Sequence, residues 1–182
     1  RREDARTDWD RGGLPSEEWE ALLGEMRRRA DAAGHYRFAY PTEFGGKDGS
    51  TLAMAIIREH LARQGLGPHN DLQNESSIVG NTVGLLLMLH HGTEEQKAEW
   101  VPAMLEGRTG FAFGITEPAH GSDATHMETT AVRDGDEWVI NGEKTWNTGI
   151  HKAQYDLIFA RTSGPPGAGD GITAFLTPTT SP

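Results

Sequence analysis

The sequence predicts an α+β chain in which a helical domain, residues 1–107, precedes an antiparallel, barrel-like β domain, residues 108–182. Three observations carry that expectation. Apolar residues recur at helical spacing through the first hundred positions, the period falls to two after Gly107, and the hairpin dipeptides Asp134-Gly135 and Asn141-Gly142 follow.

Ser16 is the expected N-cap of a first helix, with Glu17 and Glu18 placed to favour the helix dipole. Trp19, Leu22, Leu23, Met26, Ala30 and Ala33 line one face, and Gly34 ends the helix in a left-handed conformation. Residues 40–46 are irregular, with Pro41 and the pair Gly45-Gly46. A second helix begins near Ser50 and carries Leu52, Ile56, Ile57 and Leu61. A third, Glu75 to His91, is apolar nearly all round and so expected to be buried. Thr93 and Gln96 form a capping box for a fourth helix, which contains Trp100 and is expected to bend or end near Pro102.

In the second half Phe111, Phe113 and Ile115 alternate with small residues, giving a strand with one bulky and one bare face. Further strands are expected at Thr129–Arg133, Glu137–Ile140, Lys144–Asn147, Asp156–Arg161 and Ile172–Leu176, the last two joined by a Pro/Gly-rich loop, 163–171.

Composition excludes several functions. With 27 Asp plus Glu against 17 Lys plus Arg the formal charge is -10, unsuited to binding nucleic acid. Cysteine is absent, which removes disulfides, thiolate metal sites and a Cys nucleophile, and suits a reducing compartment. No apolar run reaches the ~18 residues of a membrane span, and the N-terminal residues lack a signal-peptide core. A soluble, cytoplasmic protein is expected, or one of the mitochondrial matrix if eukaryotic. The eight His include no pair four residues apart, and His90 and His91 cannot share a helical face, so no metal site is expected. No Gly-x-Gly-x-x-Gly follows a strand, so a dinucleotide would need a non-Rossmann architecture.

Thr116-Glu117-Pro118-Ala119-His120-Gly121-Ser122-Asp123 breaks the strand pattern. Turn chemistry alone accounts for Pro118, Gly121 and Asp123. A hydroxyl-rich loop with free amides equally suits a phosphate or the edge of a flavin ring.

Phe113-Gly114-Ile115-Thr116-Glu117-Pro118-x-x-Gly121-Ser122-Asp123 resembles the flavin-binding signature of the acyl-CoA dehydrogenase family. Asp136-x-Trp138-Val139-Ile140-Asn141-Gly142-x-Lys144-x-Trp146-x-Thr148 continues the likeness at that family's spacing. Tyr40-Pro41-x-x-Phe44-Gly45-Gly46 and Gly92-Thr93-x-x-Gln96-Lys97 resemble its helical domain, so the similarity spans residues 14 to 177. The resemblance implies bound FAD, and it implies roles by position. Phe113, Ile115 and Thr116 would border the pyrimidine side of the flavin, and Gly121 and Ser122 its pyrophosphate. Trp146 would pack on the dimethylbenzene edge, and Thr148 would bond at N5. Ser122 would also lie near the thioester of an acyl-CoA substrate. Glu75, Val79 and Val83 would line the acyl-chain tunnel, although Val79 and Val83 read equally well as ordinary core. Ala119-His120 and Asn147 depart from the family pattern.

The family's reaction removes an α proton to a Glu while a β hydride passes to flavin N5. That Glu belongs to a further helical bundle, so the base is expected beyond Pro182 and no catalytic residue within the chain. The 182 residues alone are expected to lack dehydrogenase activity. The resemblance further implies a homodimer or homotetramer and an electron-transfer flavoprotein, or similar acceptor, as partner. An acyl-CoA oxidase, a flavin monooxygenase of the same fold and a non-catalytic assembly subunit are the alternatives.

Overall fold

A computed structural model describes residues 7, 8, 10, 14–66 and 83–180. The chain divides into two compact units, Arg1–Gly92 and Thr93–Pro182. Glu75, Val79 and the expected helical stretch before Val83 lie outside the described residues.

The first unit is helical. A two-residue antiparallel ladder, β1 (Thr7–Asp8) with β2 (Leu14–Pro15), precedes it and is too short to have left a periodic signature. Helix α1 (Glu17–Ala32) starts where expected, because the Ser16 hydroxyl accepts the Trp19 amide at 3.2 Å. It ends with Gly34 at φ +75°, whose amide donates to Asp31 O. Tyr40 is 1% exposed, and its carbonyl accepts the Asp48 amide. A Cβ on Gly46 would sit 1.9 Å from that carbonyl, so the tight approach requires glycine. Helix α2 (Thr51–Leu61) is capped by Ser50, whose hydroxyl accepts from Ala53 N–H. The apolar residues read from sequence are only partly covered here: Leu52 and Ile56 are exposed, Ile57 and Leu61 half-buried, and Met54 is the buried residue. Helix α3 (Val83–His91) buries Leu85 and Met88.

The second unit opens with α4 (Glu94–Leu105). Its capping box is complete: Gln96 N–H donates to Thr93 Oγ1 at 3.2 Å and Thr93 N–H to Gln96 Oε1 at 2.9 Å. The helix runs through Pro102 to Leu105 rather than stopping there. Trp100 packs on Tyr155 and Phe111, with ring centroids 4.4 and 5.7 Å away, anchoring α4 to the sheet.

That sheet comprises β3 (Phe111–Gly114), β4 (Thr130–Asp134), β5 (Glu137–Asn141), β6 (Tyr155–Arg161) and β7 (Ile172–Pro178). It is mixed where a wholly antiparallel sheet was expected. The order is β3-β6-β4-β5, with β7 on the other side of β6. The β4–β5 hairpin, turning through Gly135 and Asp136, is antiparallel, and so is β6–β7. Strand β6 pairs along one edge with β7 and along the other with β3 at its start and β4 at its end, running parallel to both, Phe111 opposite Tyr155 and Thr130 opposite Arg161. Only long crossovers make this possible, and β3 reaches β6 through one that contains the whole hairpin. The expected strand Lys144–Asn147 is not one: these residues form an irregular connection with no ladder. Ala112, Met127, Ala131, Leu157 and Ala160 are buried in this unit.

Candidate functional site

Two segments of the second unit meet where β3 ends. Ala112 and Gly114 face inward and are buried, while Phe113 is 37% exposed with its ring 5.0 Å from that of Phe159. Gly114 is bare for a reason: a Cβ there would lie 2.9 Å from Asn147 Nδ2 and 3.1 Å from Asp156 Oδ2. Asn147 donates to Asp156 Oδ2 at 2.6 Å, filling that space with a polar pair. Burial pushes the Asp156 carboxyl up, and the Asn147 hydrogen bond and the Lys144 charge oppose that rise.

Beyond β3 the chain is bolted to residues 144–145. Thr145 N–H donates to Thr116 O at 2.9 Å, and Lys144 Nζ donates to Ile115 O at 3.2 Å. Lys144 also donates to Glu117 Oε1 at 2.8 Å, and both side chains are more than nine-tenths buried. Glu117 further accepts the Glu128 amide at 2.6 Å and the Thr129 amide at 2.9 Å. Burial alone would raise its pKa, but those two amides and the Lys144 ammonium prevail and hold it at about 2. The loop closes on itself through Glu117 N–H to His120 O and His120 N–H to Glu117 O.

Trp146 is the most unusual residue of this region. It is 85% exposed, and its φ of +63° is one that bulky L-residues rarely adopt. The turn is tightened by Thr148 N–H donating to Trp146 O at 2.7 Å. A left-handed Trp ends any strand through 144–147, which explains the missing ladder. The indole is therefore no part of the core, and its backbone is held in a costly conformation.

The loop after His120 is open. A Cβ on Gly121 would meet nothing within 4 Å, and Gly121 and Ser122 are exposed. Among the described residues neither amide has a protein acceptor, nor has the Thr116 amide. The far end of the loop is pinned. Asp123 accepts from the Thr125 hydroxyl at 2.7 Å and pairs with His126 Nδ1 at 2.6 Å, which together lower its pKa. Arg161, buried, donates to the carbonyls of Thr125, Ala168 and Ser163, and so ties this loop to residues 163–168.

The structure thus brings Phe113, Ile115, Thr116, Trp146 and Thr148 to two adjoining segments, with Gly121 and Ser122 on the loop that leaves the first. Val83 is 46% exposed at the start of α3, in the other unit. Sequence reasoning quoted Glu117 and Lys144 within motifs and gave them no role. Their signal was an acid and a base, each one or two residues from a proposed ring contact, inside otherwise apolar or small surroundings.

Known proteins bear on this arrangement directly. Residues 3–108 match the profile of the acyl-CoA dehydrogenase N-terminal domain, and residues 112–182 match that of the acyl-CoA dehydrogenase middle domain. The chain belongs to the acyl-CoA dehydrogenase family. It is 36% identical over 155 residues to acyl-CoA dehydrogenase FadE29 of Mycobacterium tuberculosis, covering 85% of this chain and 38% of that protein. It is 36% identical over 143 residues to a (2S)-methylsuccinyl-CoA dehydrogenase of Cereibacter sphaeroides, covering 79% of this chain and 25% of that protein. Among solved structures, a glutaryl-CoA dehydrogenase from Mycobacterium smegmatis in complex with FADH2 aligns with TM-score 0.61 at 29% identity, over 91% of this chain and 41% of that one. The Mycobacterium tuberculosis ChsE4-ChsE5 complex aligns with TM-score 0.64 at 32% identity, over 91% and 42%. The chain therefore spans about two fifths or less of the family members it resembles. Among the described residues no helix is long and apolar enough to cross a membrane.

Proposed function

We propose that the second unit seats the isoalloxazine and pyrophosphate of FAD, and that the whole protein dehydrogenates an acyl-CoA thioester between its α and β carbons. The observation that carries the reading is Trp146, whose exposed indole is held at φ +63° next to the Phe113–Thr116 segment. The donor set fits the cofactor. Trp146 and Phe113 offer apolar faces to a flat ring. The unpartnered Thr116 amide, the Thr116 hydroxyl and the Thr148 hydroxyl, which here donates weakly to Trp146 O at 3.4 Å, offer donors to ring heteroatoms. The open backbone at Gly121 and Ser122 allows close approach of a phosphate.

When bound, FAD supplies a two-electron acceptor for the β hydride. The chain's part is to hold and polarise. Thr148 would sit at N5, Thr116 at the pyrimidine edge, and Ser122 between pyrophosphate and thioester. Donors fixed beforehand stabilise negative charge on the ring without reorganisation. Glu117 is unsuited to the α proton, because a carboxylate held near pKa 2 in an ion pair is a poor base. We assign that proton to a residue outside this chain. Glu75, Val79 and Val83 are proposed to face the acyl chain. A homodimer or homotetramer, an electron-transfer flavoprotein as acceptor, and a reducing compartment such as the cytoplasm or mitochondrial matrix complete the reading. Relatives named as acyl-CoA dehydrogenases support it.

The test is anaerobic titration of the FAD-loaded full-length protein with short, branched and long acyl-CoA thioesters. Bleaching of the flavin by at least one thioester is expected. FAD that binds stoichiometrically and is reduced by none would overturn the dehydrogenase assignment.

A further inference from the structure

The Ile115 carbonyl and the Thr116 N–H belong to one peptide unit, and its two ends meet different partners. Lys144 Nζ donates to the carbonyl at 3.2 Å. The N–H has no protein acceptor among the described residues. A cation on the oxygen draws electron density along the amide and makes the N–H a stronger donor. The Lys144 side chain is 8% exposed, so water screens its charge little. Glu117 binds the same ammonium at 2.8 Å and is itself fixed by the Glu128 and Thr129 amides. The pair is balanced in charge, and its positive member is the one in contact with the peptide.

We infer that Lys144 is a positioning residue that tunes the bound flavin, raising its affinity for electrons through the Ile115–Thr116 peptide, while Glu117 limits the gain. The inference rests on the flavin reading above. The opposing charges give it a signature that a structural role lacks. Removing Lys144 leaves a buried anion behind the peptide, and removing Glu117 leaves a buried cation there. A loosened loop would move the flavin the same way in both cases.

The experiment is redox-dye equilibration of the FAD-loaded full-length protein as wild type, Lys144→Met, Glu117→Gln, Lys144→Arg and the double variant. Lys144→Met is expected to shift the oxidised-to-reduced ratio about tenfold toward oxidised, which for a two-electron couple is ~30 mV lower. Glu117→Gln is expected to shift it toward reduced, and Lys144→Arg to keep the wild-type value. The double variant, with no buried charge, is expected to lie below wild type. Should a single variant fail to hold FAD, the double variant and Lys144→Arg decide: equal potentials in wild type and double variant overturn the inference. Shifts of the same sign in both single variants overturn it as well. A wild-type protein that binds no FAD removes the flavin reading and this inference together, whereas FAD bound at one potential in every variant removes this inference alone.

Discussion

Replacing Trp146 with Asn separates what the indole does for the chain from what it does for a ligand. The left-handed backbone at φ +63° costs a bulky residue about 1–2 kcal/mol. Asn adopts that region with little penalty, so most of this strain is relieved. The lost packing is small. At 85% exposure roughly 15% of the side chain is covered, about 40 Å² if a buried Trp covers up to ~250 Å². At ~25 cal/mol per Å² that amounts to about 1 kcal/mol. The two effects offset, and apo stability is expected to change by less than ~1 kcal/mol, against the ~3–5 kcal/mol of a core Trp truncation. Flavin binding behaves differently. Covering one indole face, ~100 Å², together with a ring–ring contact of ~1 kcal/mol gives about 3.5 kcal/mol. FAD affinity is therefore expected to fall about three-hundredfold. Urea unfolding of the apo protein followed by circular dichroism, and FAD titration followed by flavin fluorescence, read the two quantities. A stability loss above 2 kcal/mol, or an FAD affinity within threefold of wild type, would refute the reasoning.

Other expectations follow from the same geometry. Glu117 has its pKa lowered from 4.5 to about 2, so its contribution is fully present above the unfolded value and is lost as pH falls through about 2. The depression corresponds to ~3 kcal/mol; urea unfolding should show the gap between wild type and Glu117→Gln shrinking from pH 5 to pH 2, and a constant gap would count against it. Asp156 shifts the opposite way, so its neutral form favours folding at low pH and that benefit is lost as pH rises through the raised value. Asp156→Asn is therefore expected to be more stable than wild type at neutral pH, with the difference closing in acid. Gly142→Ala would place a Cβ 2.3 Å from Thr129 Oγ1 and 2.7 Å from Thr129 Cα, and thermal unfolding should register a loss of about 2 kcal/mol. Gly121→Ala meets nothing within 4 Å, so it should leave apo stability intact and weaken FAD binding.

Legibility in the sequence followed the range of the interaction. Caps at Ser16 and Thr93 were readable because a hydroxyl reaches an amide only three residues away. The Asp134-Gly135 hairpin was readable for the same local reason. Pairing partners were not. Nothing within residues 111–114 or 155–161 states that they lie side by side and parallel, since that depends on where the intervening hairpin folds. Helix α2 shows the limit of periodicity: Leu52 and Ile56 follow the pattern of a buried face and are exposed. At the site, the resemblance assigned positions to Phe113, Thr116, Trp146 and Thr148, and the structure adds why they can be neighbours. Glu117 and Lys144 escaped notice because a buried ion pair between residues 27 apart has no local signature. The strand expected at 144–147 is absent because the left-handed backbone of Trp146 breaks the extended run, and residue type alone does not announce that conformation.

The most direct measurement of the central claim is a crystal structure of the full-length protein with FAD. The account predicts the Trp146 indole against the dimethylbenzene edge, Thr148 within hydrogen-bonding distance of N5, and the Thr116 amide and hydroxyl at the pyrimidine edge. Trp146 still exposed to solvent, with the flavin seated elsewhere in the molecule, would contradict it.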